Sequence, residues 1–149
     1  MIVRIISHTQ FSMPRSIPSY LGNRVHSRMR MEYYRGKMAK EPTRHPRMII
    51  GCSYKFLHEH LGMRDINGLE LDHIIPLRCY NLFDKRDLLR AFNWRNMQLL
   101  TGLENAQKGG KLPDHDTLMG LKCCWPTAWW PDEEDVPMDL RIERLKSDW

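Results

Sequence analysis

Two stretches decide the fold, LELDHIIPL at residues 69–77 and NWRNMQLLTGLENAQKGGK at residues 93–111. The first reads as an apolar strand from Leu69 to Leu77 that turns at Pro76. The second opens with a strand from Met97 to Leu100 and continues as a helix from Thr101. Thr101 and Glu104 have the spacing of a capping box, in which each side chain satisfies a free amide of the other's turn. Gly109 and Gly110 end that helix. A strand pair with a helix packed across it brings Asp72, His73 and Asn105 together. Asp and Asn offer hard oxygen ligands, which suit Mg2+ or Mn2+ better than zinc. Neighbouring strand residues point to opposite faces, so Asp72 and His73 divide the work unless the strand ends there. One holds an ion and the other handles a proton on water. A histidine of ordinary basicity, near pH 6.5, is close to ideal for a general base.

Outward from this centre, the chain punctuates itself. A proline-free, Arg- and Met-rich run from Tyr20 to about Lys40 predicts a helix, with Leu21, Val25, Met29 and Tyr33 along one face. Arg24, Arg28 and Arg35 fall near one another on another face. The prolines between Glu41 and Pro46 break it. Ser53 opens a short helix over Tyr54–Leu61 that stops at Gly62. His58 and His60, two apart on that helix, point away from each other and are expected to pack or face solvent. Asp84 caps a helix through about Phe92, with Asp87 at its third position. The division that follows is a leader or extension at 1–19, a basic helical segment at 20–62, the strand–strand–helix unit at 63–112, and an acidic tail at 113–149. In the tail, Trp125, Trp129 and Trp130 are expected to pack on that unit.

The 149 residues carry 23 Lys and Arg against 18 Asp and Glu, a net charge of +5, and 28% charged against 42% hydrophobic residues. This is a globular composition for a small α+β protein, and no apolar run reaches the ~20 residues of a membrane helix. The charge is uneven. Residues 1–48 hold ten basic and two acidic side chains, residues 49–112 nine and seven, and residues 113–149 four and nine. A basic front end suits a polyanion, most simply nucleic acid. An acid-poor start is also the composition of an organelle-targeting leader. The cysteines at 52, 79, 123 and 124 form no CxxC pair and read as reduced thiols of an intracellular protein, with Cys52 and Cys79 as small buried hydrophobes.

D-H-I-I-P-L at 72–77, N-x-Q-x-L at 96–100 and E-N-x-x-K-G at 104–109 together resemble the HNH (His-Me finger, ββα-metal) endonuclease family. Upstream, R-x-x-x-R-x-R at 24–30 and IGCSYKFLHEHL at 50–61 look like the segment preceding the finger in phage and mobile-element members. The resemblance implies a metal-dependent DNA endonuclease in a phage- or virus-infected host cell, its products ending in 5′-phosphate and 3′-hydroxyl. His73 matches the general base and Asp72 the metal ligand before it. Asn96 matches the central asparagine that bonds loop backbone and holds the loop bearing His73. Asn105 matches the second ligand of Mg2+ or Mn2+. Lys108, one turn on, is placed to reach a phosphate, as are Arg24, Arg28 and Arg35. The rival expectation is a nucleic-acid-binding module of the same fold that does not cleave.

Overall fold

The computed structural model describes residues 16–42 and 47–130. Helix α1 spans Ile17–Tyr34 and so begins three residues before the expected start at Tyr20. Ser16 caps it by accepting from the Ser19 amide, and Pro18 lies in the first turn, where a missing N–H costs nothing. Residues 17–19 thus belong to the helix and not to a leader; the rest of the expected leader, 1–15, lies outside the described residues. The helix also ends sooner than the expected Lys40, and Gly36 turns the chain at φ +73°. Leu21, Val25 and Met29 form its buried face, with Tyr33 partly buried beside them.

A one-turn helix α2, Arg47–Ile50, buries Ile49 and Ile50, and α3, Tyr54–His60, follows a Ser53 cap. Helices α1 and α3 cross at Gly22. A Cβ there would sit 2.5 Å from a ring carbon of Tyr54, so only glycine permits this approach. His58 is buried and bonds the Arg64 carbonyl through Nε2 at 3.1 Å, whereas His60 stacks edge-on against Trp94.

Strand β1, Leu69–His73, pairs antiparallel with β2, Met97–Thr101, so that Asp72 faces Gln98 and His73 faces Met97. The expected strand to Leu77 is four residues too long. Past His73 the Ile74 amide donates to the Asn96 carbonyl and the Ile75 amide to Asn96 Oδ1, both at 2.8 Å. A side chain has replaced the partner strand, the ladder stops, and a 3-10 turn over Leu77–Cys79 follows Pro76. Helix α4, Lys85–Ala91, starts at its Asp84 cap. Helix α5, Gly102–Lys108, leaves β2 directly through the complete Thr101–Glu104 capping box, packs on both strands, and closes at Gly109 in the left-handed conformation.

Residues 113–130 are more than a tail. Helix α6, His115–Gly120, leads to two 3-10 turns, and this segment contributes Leu121 and Cys124 to the hydrophobic core of the described residues. Trp125 and Trp129 pack against that core, and Tyr80 Oη donates to the Cys124 carbonyl at 2.5 Å. Asp87, buried on α4, accepts from the Thr127 amide at 2.8 Å and its hydroxyl at 2.6 Å. Buried carboxylates need such partners, and this one ties the segment to α4. Residues 131–149, with most of the acidic residues of the 113–149 segment, lie outside the described residues. Cys52 and Cys79, expected to be buried, are half-buried thiols, as is Cys123, while Cys124 is buried.

Candidate active site

The end of β1, the C-terminal half of α1 and the face of α5 enclose a cleft of about 300 Å³. Asp72, His73, Asn105 and Lys108 line one side; Arg28, Glu32, Arg35 and Lys37 line the other. Five cationic side chains face two carboxylates there, with Arg78 the fifth cation. Because β1 ends at His73, its last two residues both reach the cleft, which a continuing strand would forbid.

His73 is 3% exposed, and its ring stands edge-on to Phe92 at 4.7 Å. Its Nε2 is buried with no hydrogen-bond partner. The ordinary basicity expected of it is corrected: burial first, then the charge of Arg28, pushes the imidazole down to about 3. The ring is therefore held neutral.

Asn96 has no exposed surface, and its amide is spent on backbone. Oδ1 accepts from the Ile75 amide, while Nδ2 donates to the Ile75 carbonyl at 3.2 Å and the Ala91 carbonyl at 3.0 Å. These bonds tie the loop after His73 to the end of α4.

Each candidate ligand has a neighbour that orients it. Gln98, opposite Asp72 on β2, donates through Nε2 to Asp72 Oδ2 at 3.0 Å. Asn105 donates through Nδ2 to Glu70 Oε2 at 2.5 Å. Among the described residues, nothing bonds Asp72 Oδ1 or Asn105 Oδ1. One carboxylate and one carbonyl oxygen thus remain, a hard donor set that fits Mg2+ or Mn2+ with water completing the shell. Among the described residues, no three His, Cys, Asp or Glu side chains group to hold a metal.

The cations depart from expectation. Arg24 is not in the cleft: its guanidinium donates to the Leu69 carbonyl and holds the start of β1 against α1, which removes it from the expected phosphate-binding set. Arg28 and Arg35 do line the cleft, and both pair with Glu32, at 3.4 and 3.3 Å. Lys108 does not project into open space towards a phosphate. Its ammonium donates to the His73 carbonyl at 2.8 Å and pairs with Asp72 Oδ2 at 3.0 Å.

Sequence reasoning missed Glu32, Glu70 and Gln98. Glu32 was findable, since it lies four residues after Arg28 and three before Arg35, the spacing of helical ion pairs. Glu70 shares a strand face with Asp72. Gln98 gains its role only from the strand register.

No protein-family model matches the chain, and no solved structure matches it. A 45-residue stretch is 42% identical to the uncharacterized protein L426 of Acanthamoeba polyphaga mimivirus. That stretch is 30% of this chain and 20% of the viral protein, so the two are alike over a fifth of the relative's length. Among the described residues no helix is long and apolar enough to cross a membrane.

Proposed function

We propose that the protein is a metal-dependent DNA endonuclease, with β1, β2 and α5 as a ββα-metal finger of the HNH type. The observation that carries this reading is a nearly buried imidazole, His73, next to the Asp72 carboxylate on the wall of a cleft where cations outnumber acids five to two. Such a cleft suits a phosphodiester. The free oxygens of Asp72 and Asn105 would hold Mg2+ or Mn2+, which would supply Lewis-acid stabilisation of the charge developing on the scissile phosphate.

The chain supplies the rest. Arg28 and Arg35 bind phosphate oxygens and orient the strand. The His73 imidazole, through the ring nitrogen that is not sealed in the core (Nδ1), takes the proton of a water whose oxygen bonds to phosphorus as the P–O3′ bond breaks. The ring is a weak base at rest because the site is dry and cationic; an anionic phosphate entering beside it offsets the charge of Arg28 and raises its proton affinity. Asn96 keeps the loop after His73 from moving while this happens.

Supercoiled plasmid should be nicked with Mg2+ or Mn2+ and left intact in EDTA. His73→Ala should lower the rate by about 100-fold or more while DNA binding persists. Cleavage in EDTA, or a His73→Ala rate within about tenfold of wild type, would remove the assignment. A non-cleaving DNA-binding module is the second reading, favoured by the near-complete burial of His73. It is the outcome if DNA binds and no divalent ion brings cleavage.

A further inference from the structure

Lys108 lies where a passive phosphate contact would not. Its ammonium is 3.0 Å from Asp72 Oδ2, 2.8 Å from the His73 carbonyl, and mostly shielded, with side-chain exposures of 18% for Lys108 and 17% for Asp72. A lysine ends a flexible four-carbon stem, so it can give up one partner for another within reach. A carboxylate in a partly dry cleft needs a counter-charge, and here an internal one is already seated. Two cations crowded on one carboxylate repel strongly when water is scarce.

We propose that Lys108 is a built-in counter-cation of Asp72, which a divalent ion displaces and so frees, within the cleft, for a phosphate. This rests on the reading of Asp72 as a metal ligand. In the metal-free protein Lys108 neutralises Asp72 and pins the end of β1 through the His73 carbonyl. A divalent ion at Asp72 drives the ammonium off. Released from Asp72, its charge acts with Arg28 and Arg35, which line the same cleft, so the phosphate site is complete only once the metal is in place. The device costs metal affinity in the absence of DNA, and that cost is measurable without any turnover.

The test is Mn2+ titration of the full-length protein without DNA, read by the loss of free-ion EPR signal. Lys108→Met keeps the stem and removes the charge, and should tighten Mn2+ binding about tenfold or more. Lys108→Arg keeps the charge and should stay within about threefold of wild type. Asp72→Asn should abolish binding in either background. The wild-type protein gives a second readout that no folding defect can confound. With lysines dimethylated by 13C-formaldehyde, the Lys108 resonance, assigned by its absence in Lys108→Arg, should shift in step with Mg2+ occupancy. Equal Mn2+ affinity in wild type and Lys108→Met, or a Lys108 signal unmoved at Mg2+ saturation, overturns the displacement and leaves the metal site standing. Binding by neither protein overturns the metal assignment and the displacement with it.

Discussion

Asn96 shows how much one amide can carry. It has no surface, and it satisfies an N–H and two carbonyls on segments that are not neighbours in sequence. Asn96→Ala strands the buried Ile75 amide and opens a small cavity, which should cost about 3 kcal/mol; urea unfolding measures it, and a loss below about 1 kcal/mol would contradict the accounting. His73 makes a pH-dependent statement at the same scale. Its folded pKa, about 3, lies below the ordinary 6.5, so the unfolded chain binds a proton that the folded one refuses. Nothing is lost above pH 6.5. As pH falls from there towards 3, His73 should drain stability by up to about 1.4 kcal/mol per pH unit. The stability gap between wild type and His73→Ala should therefore narrow on acidification, followed by chemical denaturation at pH 7, 6 and 5; a constant gap would mean that His73 stays proton-accessible when folded.

At the scale of elements, α5 is the part whose start has to be placed correctly, because Asn105 and Lys108 both ride on it. It has seven residues, too few to be stable alone. The capping box sets its first turn directly at the end of β2. Thr101→Ala should lower stability by about 1 kcal/mol and, by fraying that first turn, weaken Mn2+ binding as well. Thermal unfolding and metal titration on the same sample check both; a stability loss with unchanged metal affinity would show that packing on the strands alone holds Asn105. Helix α1 has a different task. Arg24 faces the start of β1, Glu32 gathers Arg28 and Arg35, and the helix thereby joins the cationic wall to the strand carrying Asp72.

For the molecule as a whole, the basic front end is not a detachable arm. Residues 1–48 include Leu21, Val25 and Met29, none with any exposed surface, so deleting them would test folding and not binding. Single charges are the better probe. Arg28→Gln and Arg35→Gln should each reduce the slope of log K against log salt for duplex DNA by about 0.9. Arg24→Gln should lower stability and leave that slope unchanged, because its charge is turned to the Leu69 carbonyl. Fluorescence anisotropy from low to moderate salt distinguishes them, and an Arg24→Gln slope change as large as that of Arg28→Gln would put Arg24 back in the DNA interface.

Local chemistry was legible in the sequence wherever neighbours in the chain decide the outcome. The caps at Ser53, Asp84 and Thr101 and the glycine stop at 109 depend on residues within one turn, and the structure has them as read. The apolar face of α1 follows from spacing alone. Its start at Ile17 lies ahead of the expected Tyr20 because Pro18 reads as a breaker until its first-turn position is known. Tertiary structure decided the rest. Only the pairing of β1 with β2 puts Gln98 against Asp72, and only the fold back of residues 113–130 gives Asp87 its partners. Burial, which no single stretch encodes, turned a histidine of ordinary basicity into a neutral one, and proximity across 36 residues turned Lys108 from a free cation into the counter-charge of Asp72. Desolvation and Coulomb interaction depend on distance in space, and distance in space is what a sequence does not list.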